Sequence, residues 1–276
     1  MIDLLRLVRA HNLLIATAAV LAGGWIALAS VQTPKVLAFA ALAAVGIGMA
    51  GYACNDIWDQ AADRVNRSGT GRPLATGRIS RGAADLCVAA GAFIGLTGAA
   101  LVSGTAVAVA AAALLLLVLY SPVLKPRGLL GNVAVALVAG LPLEYGAIAV
   151  GNPRAGIVPW ILASWIHLVR EIVKDIDDQA GDQALGRRTL PLVLGARRAS
   201  VVGGVLAAAF VPLSLALPAA AHYHGPYFLI ALFAQLAVLA VASRLFIGRA
   251  PAGGNSRLLK GAMLVGIVAL VAGRVA

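Results

Sequence analysis

Charged and aromatic side chains are what this sequence has least of. Only 12% of its 276 residues are Asp, Glu, Lys or Arg and only 5% are Phe, Trp or Tyr, against 61% hydrophobic residues and a mean hydropathy of +0.92. A water-soluble domain cannot hide that much apolar surface, so a soluble fold is excluded and a polytopic α-helical membrane protein is expected. The short alternating segments of a transmembrane β-barrel are missing as well. The apolar runs are instead long, continuous and rich in Ala, Leu and Val. The two cysteines, Cys54 and Cys87, lack metal or redox spacing and read as free thiols. No cleavable signal pattern follows the opening Met-Ile-Asp-Leu-Leu-Arg, so the first apolar run is expected to remain.

Nine runs can cross a bilayer: 11–30, 35–53, 83–102, 104–120, 129–150, 156–173, 199–219, 226–247 and 258–275. Each is near the ~20 residues a crossing needs, and the Ser103-Gly104 break is the tightest connection. The net charge of +11 could suggest nucleic acid, but its distribution argues for topology instead. With a cytoplasmic N-terminus, 19 basic residues fall inside and only Lys35, Arg154 and Arg274 fall outside. That asymmetry predicts a multi-pass protein of the cell membrane, a single domain over 1–276, with no nucleic-acid partner. Two long inner segments, about 54–82 and 170–198, are expected to form helical extensions and a cap, ended by Pro73, Gly77, Gly181, Gly186 and Pro191.

Six of the chain's 11 acidic residues stand in two clusters. On a helix, Asp56, Asp59 and Asp63 share an arc of roughly 60° along about 10 Å. The spacing returns 119 positions later as Asp175, Asp178 and Asp182, while Asp177 points roughly 200° away and reads as solvated. Like charges on one face repel and need cations. Two such faces suggest two halves of one metal site, and the offset suggests a parallel repeat of four helices plus four, with a ninth appended. Removing one aspartate is then expected to cost little stability, since it relieves repulsion.

Basic residues crowd the same segments: Arg64, Arg67, Arg72, Lys125, Lys174 and the pair Arg187–Arg188. Carboxylates beside cations fit a phosphorylated ligand, because Mg²⁺ is commonly held by a few carboxylates plus phosphate oxygens. Metals and cations that neutralise developing charge make an allylic diphosphate a good leaving group, and apolar walls would keep water from the resulting cation.

The residues themselves carry a resemblance. Asn55-Asp56-x-x-Asp59-x-x-x-Asp63-Arg64-Val65-Asn66-Arg67 with Arg72-Pro73-Leu74 and Gly77, and Arg170-Glu171-x-x-Lys174-Asp175-Ile176-x-Asp178-x-x-Gly181-Asp182 with Thr189-Leu190-Pro191, resemble the two signatures of the UbiA superfamily of intramembrane prenyltransferases. Arg9-Ala10-His11-Asn12 resembles the family's opening Arg-Pro-x-Asn, and Tyr120-Ser121-Pro122-x-x-Lys125 its central segment. The resemblance implies nine helices around a cavity and Mg²⁺-dependent ionisation of a prenyl diphosphate, with capture of the allyl cation by a lipophilic acceptor. It implies metal ligation by Asp56, Asp59, Asp63, Asp175, Asp178 and Asp182, with Asp59, Asp63, Asp178, Asp182 and Lys125 catalytic. Substrate binding would fall to Asn12, Asn55, Arg64, Arg67, Arg72, Tyr120, Lys125, Arg170 and Lys174. The second signature is closest to the branch that prenylates geranylgeranylglyceryl phosphate. Ser68-Gly69-Thr70-Gly71 lengthens the spacing before Arg72 by two residues relative to the family pattern.

Glu171 lies one turn before Asp175 on the same face, as a partner for Lys174 or Arg170 or as part of the site. Glu144, inside a span, reads as a buried carboxyl away from the metals. His11, His167, His222 and His224 have no ligand partner at useful spacing. Three other functions compete. A divalent-cation transporter would want its acids near mid-membrane, and a CDP-alcohol phosphotransferase would need an Asp-Gly-x-x-Ala-Arg element that is absent. An aromatic acceptor would need π-surface near the cation, for which Tyr52, Trp58 and Tyr120 are candidates. The surplus of Arg6, Arg9, Arg64 and Arg170 favours an acceptor that carries a phosphate.

Overall fold

A computed structural model describes residues 2–66, 72–248 and 253–275. Among them every regular element is helical: α1 (Ile2–Leu7), α2 (Ala10–Leu28), α3 (Lys35–Asn66), α4 (Arg81–Ala100), α5 (Gly104–Leu119), α6 (Leu129–Ala149), α7 (Pro153–Asp177), α8 (Gln179–Ala184), α9 (Leu190–Leu194), α10 (Ala196–Ala220), α11 (Gly225–Ile247) and α12 (Gly254–Val275). Nine of these are long and apolar enough to span a bilayer, matching the nine expected runs to within a few residues at most ends. Ser103 makes the tight turn between α4 and α5 possible, because its Oγ accepts the Ala106 N–H and caps α5. The second run continues past its expected end as one helix to Asn66, which carries the first acidic cluster out of the apolar zone.

The expected breaks are only partly realised. Gly77 and Gly186 take positive φ, but Gly181 lies inside α8, and Pro191 opens α9 rather than ending a helix.

Packing repeats along the chain. α2 lies on α3 as α6 lies on α7, α3 on α4 as α7 on α10, and α4 on α5 as α10 on α11. α12 closes the ring by packing on α11, α2 and α7. Lipid tails are as apolar as leucine, so the helices adhere by close contact rather than by escape from water. Gly46, Gly91, Gly95 and Gly98 let the α3 and α4 backbones touch. Gly23 and Gly146 do the same for α2 and α6, where an added Cβ would run into the carbonyls of Leu143 and Val20.

Gly146→Val should force α2 and α6 apart and destabilise by about 1–3 kcal/mol. Gly261→Ala faces open space inside α12 and should be neutral or slightly stabilising. Thermal unfolding in detergent checks both, and equal midpoints for the two variants would contradict the packing account.

Candidate active site

The N-terminal ends of α2, α6 and α12 meet the C-terminal ends of α3, α5 and α7 at one end of the bundle, where the two acidic clusters converge. Arg9, in a left-handed conformation before α2, donates to Asn55 Oδ1 (3.0 Å) and Asp56 Oδ1 (2.8 Å). Arg72 binds the same Asp56 oxygen at 2.6 Å and Asp63 at 2.9 Å, so the lengthened spacing before it does not displace it from the acids. Arg67 lies outside the described residues.

Past α5 the backbone makes a π-turn at Tyr120–Leu124, where Pro122 supplies no N–H, and then a 3₁₀ turn at Lys125–Arg127. That geometry brings Ser121 Oγ within 2.7 Å of Asn55 Nδ2, and Asn55 Nδ2 donates as well to Asp59 Oδ2. Lys125 Nζ reaches Asp59 Oδ2 at 2.9 Å and lies 3.9 Å from Asp182. Gly128 takes φ 63°, and its missing Cβ leaves room for the Arg188 carbonyl, so the strap of residues 185–189 between α8 and α9 lies against this turn.

The strap supplies the residue that joins the two clusters. Buried Arg187 donates through Nη2 to Asp59 Oδ1 and through Nη1 to Asp182 Oδ1 (2.9 Å). Burial pulls its pKa down, but the carboxylates of Asp59 and Asp182 outweigh that and raise it, so the guanidinium stays charged. The sequence marks Arg187 and Arg188 as nearby bases without separating them; only Arg187 turns inward, and Arg188 is exposed.

The second cluster departs from expectation. α7 stops at Asp177, Asp178 sits at a junction with φ −101° and ψ 12°, and Asp182 belongs to α8. Asp175, Asp178 and Asp182 therefore do not share one helical face, because Asp182 is drawn instead to Arg187, five residues on. Asp175 is buried against Asn132 Nδ2 (2.9 Å) at the start of α6, a partner with no motif to reveal it. Asp178 is partly exposed. Asp177 accepts the Gly253 N–H and ties α7 to the start of α12 rather than being merely solvated.

Other expected residues sort clearly. Asn12, Tyr120, Arg170 and Lys174 line the cavity described below, but among the described residues Lys174 bonds Glu171 (2.6 Å) rather than any of the six aspartates. Arg64 stands apart: its Nε donates to the Ala75 carbonyl on the exposed side of α3, about 100° round from Asp63. Glu144 is buried near Gly156, with Oε2 lacking a hydrogen-bond partner among the described residues.

From this pole a cavity of about 580 Å³ runs into the bundle. Its mouth carries Arg9, Asn55, Asp56, Arg72 and Arg170, and its depths carry small or apolar residues such as Ala43, Ile47, Gly48, Leu162 and Phe210.

The pole's donors suit a hard divalent cation in kind, since carboxylate and amide oxygens dominate and Asp182 Oδ2 is buried without a hydrogen-bond partner among the described residues. The six aspartates do not form a ready cage. Among the described residues no three acids lie close enough together to hold a metal, and Arg187 and Lys125 stand between Asp59 and Asp182.

A membrane-embedded apolar cavity with a charged mouth of facing carboxylates and guanidiniums defines a class: enzymes that handle a lipid with a phosphorylated head. The comparisons specify it further. Residues 16–266 match the model of the UbiA prenyltransferase family, and the chain belongs to that family. It is 37% identical over 270 residues to a digeranylgeranylglyceryl phosphate synthase of Methanopyrus kandleri, covering 97% of each chain. A solved structure from work on digeranylgeranylglyceryl phosphate synthase in membranes shares the fold with a TM-score of 0.78 at 24% identity, covering 99% of this chain and 98% of that one. A UbiA homolog from Archaeoglobus fulgidus bound to GPP and Mg²⁺ shares it with a TM-score of 0.67 at 18% identity, covering 98% of each.

Because Asp59 and Asp182 are held by cations, removing either charge sign leaves the other buried and uncompensated. The expectation that losing an aspartate is nearly free therefore gives way. Arg187→Ala should destabilise by about 3 kcal/mol, whereas exposed Arg188→Ala should change stability by less than about 0.5 kcal/mol. Unfolding in detergent reads both, and equal effects would remove Arg187 from its bridging role.

Proposed function

We propose that this enzyme transfers a geranylgeranyl group from its diphosphate to the free hydroxyl of geranylgeranylglyceryl phosphate, forming an ether lipid, with Mg²⁺ as cofactor. The single observation that carries this reading is the Arg187 bridge, which joins the two acidic clusters one hydrogen bond behind Asn55, a residue of the cavity mouth. The curated relative's name points to the same acceptor, and the Archaeoglobus homolog's GPP and Mg²⁺ support the donor and the metal.

Since the six aspartates form no cage by themselves, about one or two of their carboxylates, Asp59 and Asp182 foremost, would hold the cation together with diphosphate oxygens, and when bound it would neutralise the diphosphate and polarise its bond to the allylic carbon. The chain does the rest. Arg72, Lys125 and Arg187 offset charge that grows on the leaving diphosphate. Asn55, fixed by Ser121 and Asp59, presents an amide at the same mouth. The apolar walls exclude the water that would otherwise consume the allyl cation. As the carbon–diphosphate bond breaks, its electron pair leaves with the diphosphate, and the acceptor hydroxyl forms the ether bond and passes its proton to an oxygen of that departing diphosphate.

Of the three aromatic candidates, Tyr120 lines the cavity as a buried ring, and the other two offer an aromatic acceptor little. Trp58 is 53% exposed on the outside of the bundle, and the Tyr52 ring is covered by the Arg9 guanidinium 4.7 Å from its centroid. With the N-terminus and cap segments on the cytoplasmic side, as the basic-residue asymmetry favours, both substrates would be met at the inner leaflet.

Asp59→Asn, which keeps the side chain's size but turns an amide N–H toward the Lys125, Asn55 or Arg187 donors, should lower transfer by about a hundredfold or more, and chelation of Mg²⁺ should stop pyrophosphate release from geranylgeranyl diphosphate in the unaltered enzyme. Mass spectrometry of the lipid product with geranylgeranylglyceryl phosphate, 4-hydroxybenzoate and homogentisate tests the acceptor. A prenylated ring and no ether lipid would decide against it.

In a background without Cys54 and Cys87, a cysteine at exposed Gln183 in α8 should react with an impermeant reagent only from the cytoplasmic side. Labelling in intact cells would reverse the topology.

A further inference from the structure

The aspartate pole does not use all the cations at the cavity mouth. At the same opening, α12 presents Lys260, whose Nζ lies 3.4 Å from Asn12 Oδ1 and 3.5 Å from His11 Nε2 on α2. Among the described residues Lys260 has no carboxylate partner. Next to it on α7, Arg170 places one Nη 3.3 Å from Glu171, while its Nε–H is buried and donates to nothing among the described residues. Glu171 is also the partner of Lys174, so one carboxylate serves Arg170 and Lys174 while Lys260 has none. All of these residues line the cavity. A partly desolvated surplus of positive charge facing a lipid cavity is costly to leave uncompensated. Among the contacts of the described residues, none of these three cations bonds an aspartate of either acidic cluster.

We propose that Lys260, Arg170, His11 and Asn12 form a second phosphate subsite that seats the phosphomonoester of the lipid acceptor, apart from the pole that takes the donor's diphosphate. The proposal rests on the acceptor reading given above. A phosphomonoester carries between one and two negative charges and three acceptor oxygens. An ammonium, the unspent guanidinium Nε–H, an imidazole and an amide supply donors for them, and charge-assisted bonds of this kind are the strong ones. Glu171 holds Arg170 and Lys174 at the rim and marks the border with the aspartate pole. Both lipids would then enter one mouth with separate head positions and share the apolar space below.

The test is direct binding without donor, so it needs no turnover. Detergent-solubilised enzyme is titrated with geranylgeranylglyceryl phosphate and with the dephosphorylated alcohol. The unaltered protein should bind the phosphate form at least about tenfold more tightly. Lys260→Gln and Arg170→Gln should each weaken binding of that form about tenfold and leave the alcohol unchanged, whereas Lys260→Arg should retain the preference. In turnover assays Lys260→Gln should leave the KM for geranylgeranyl diphosphate within twofold. Undiminished phosphate preference in a Lys260→Gln protein whose melting point is unchanged would overturn the subsite, and so would a tenfold rise in donor KM, which would assign the cluster to the diphosphate. If only aromatic acceptors are prenylated, the acceptor reading fails, but the titration still decides whether a phosphate is bound here.

Discussion

The arrangement depends on one contact, the guanidinium of Arg187 held between Asp59 and Asp182. Those carboxylates come from α3 and α8, and the arginine from the strap beyond, so a single side chain closes a loop of 128 residues. Carboxylates this buried cannot face one another without a cation, and a buried arginine cannot stand without an anion. The ion pairs therefore hold the two halves of the bundle in register before any ligand arrives. Lys125, fixed by the π-turn after α5, adds a second cation to the same place. The groups that would meet a metal-bound diphosphate are thus the same groups that keep the protein folded, and ligand binding must redistribute partners rather than fill a void.

The cavity exists because tightness is concentrated elsewhere. Glycine-to-backbone contacts lock α3 to α4 and α2 to α6. The facing walls of the cavity, by contrast, carry residues such as Ala16, Ala44, Gly51 and Ala113, which are too short to meet across the middle. Rigid seams with small inward residues give an open interior without loose helices.

Much of this is legible in the sequence. The nine spans follow from apolar run length, a signal that few competing effects disturb, and the first acidic cluster follows from helical periodicity that α3 keeps to Asn66. What fails is the assumption that equal spacing means equal geometry. Asp175, Asp178 and Asp182 repeat the numbers of the first cluster, but the helix ends between them: Asp182 is bonded to Arg187, and Arg187 is itself held by Asp59 from 128 residues away, a contact that no local pattern carries. Arg64 misleads for the opposite reason: it belongs to a motif, yet its place on the helix turns it to the outside. Asn132 is invisible beforehand because a single amide at the start of an apolar run has no periodicity to mark it, and its meaning appears only when α6 is laid against α7.

The ninth helix changes what the repeat can do. Two similar halves offer a pseudo-symmetric pair of faces, which is well matched to a ligand that is itself nearly symmetric, such as a diphosphate gripped from both sides. A reaction that joins two different lipids needs the opposite property, a way to tell one head from the other. α12 has no counterpart in the first half, packs on α2, α7 and α11, and is tied to α7 through Asp177 and the Gly253 N–H. By closing the ring with an odd element it breaks the two-fold likeness of the mouth, and a handed opening can keep two substrates in fixed and unequal places.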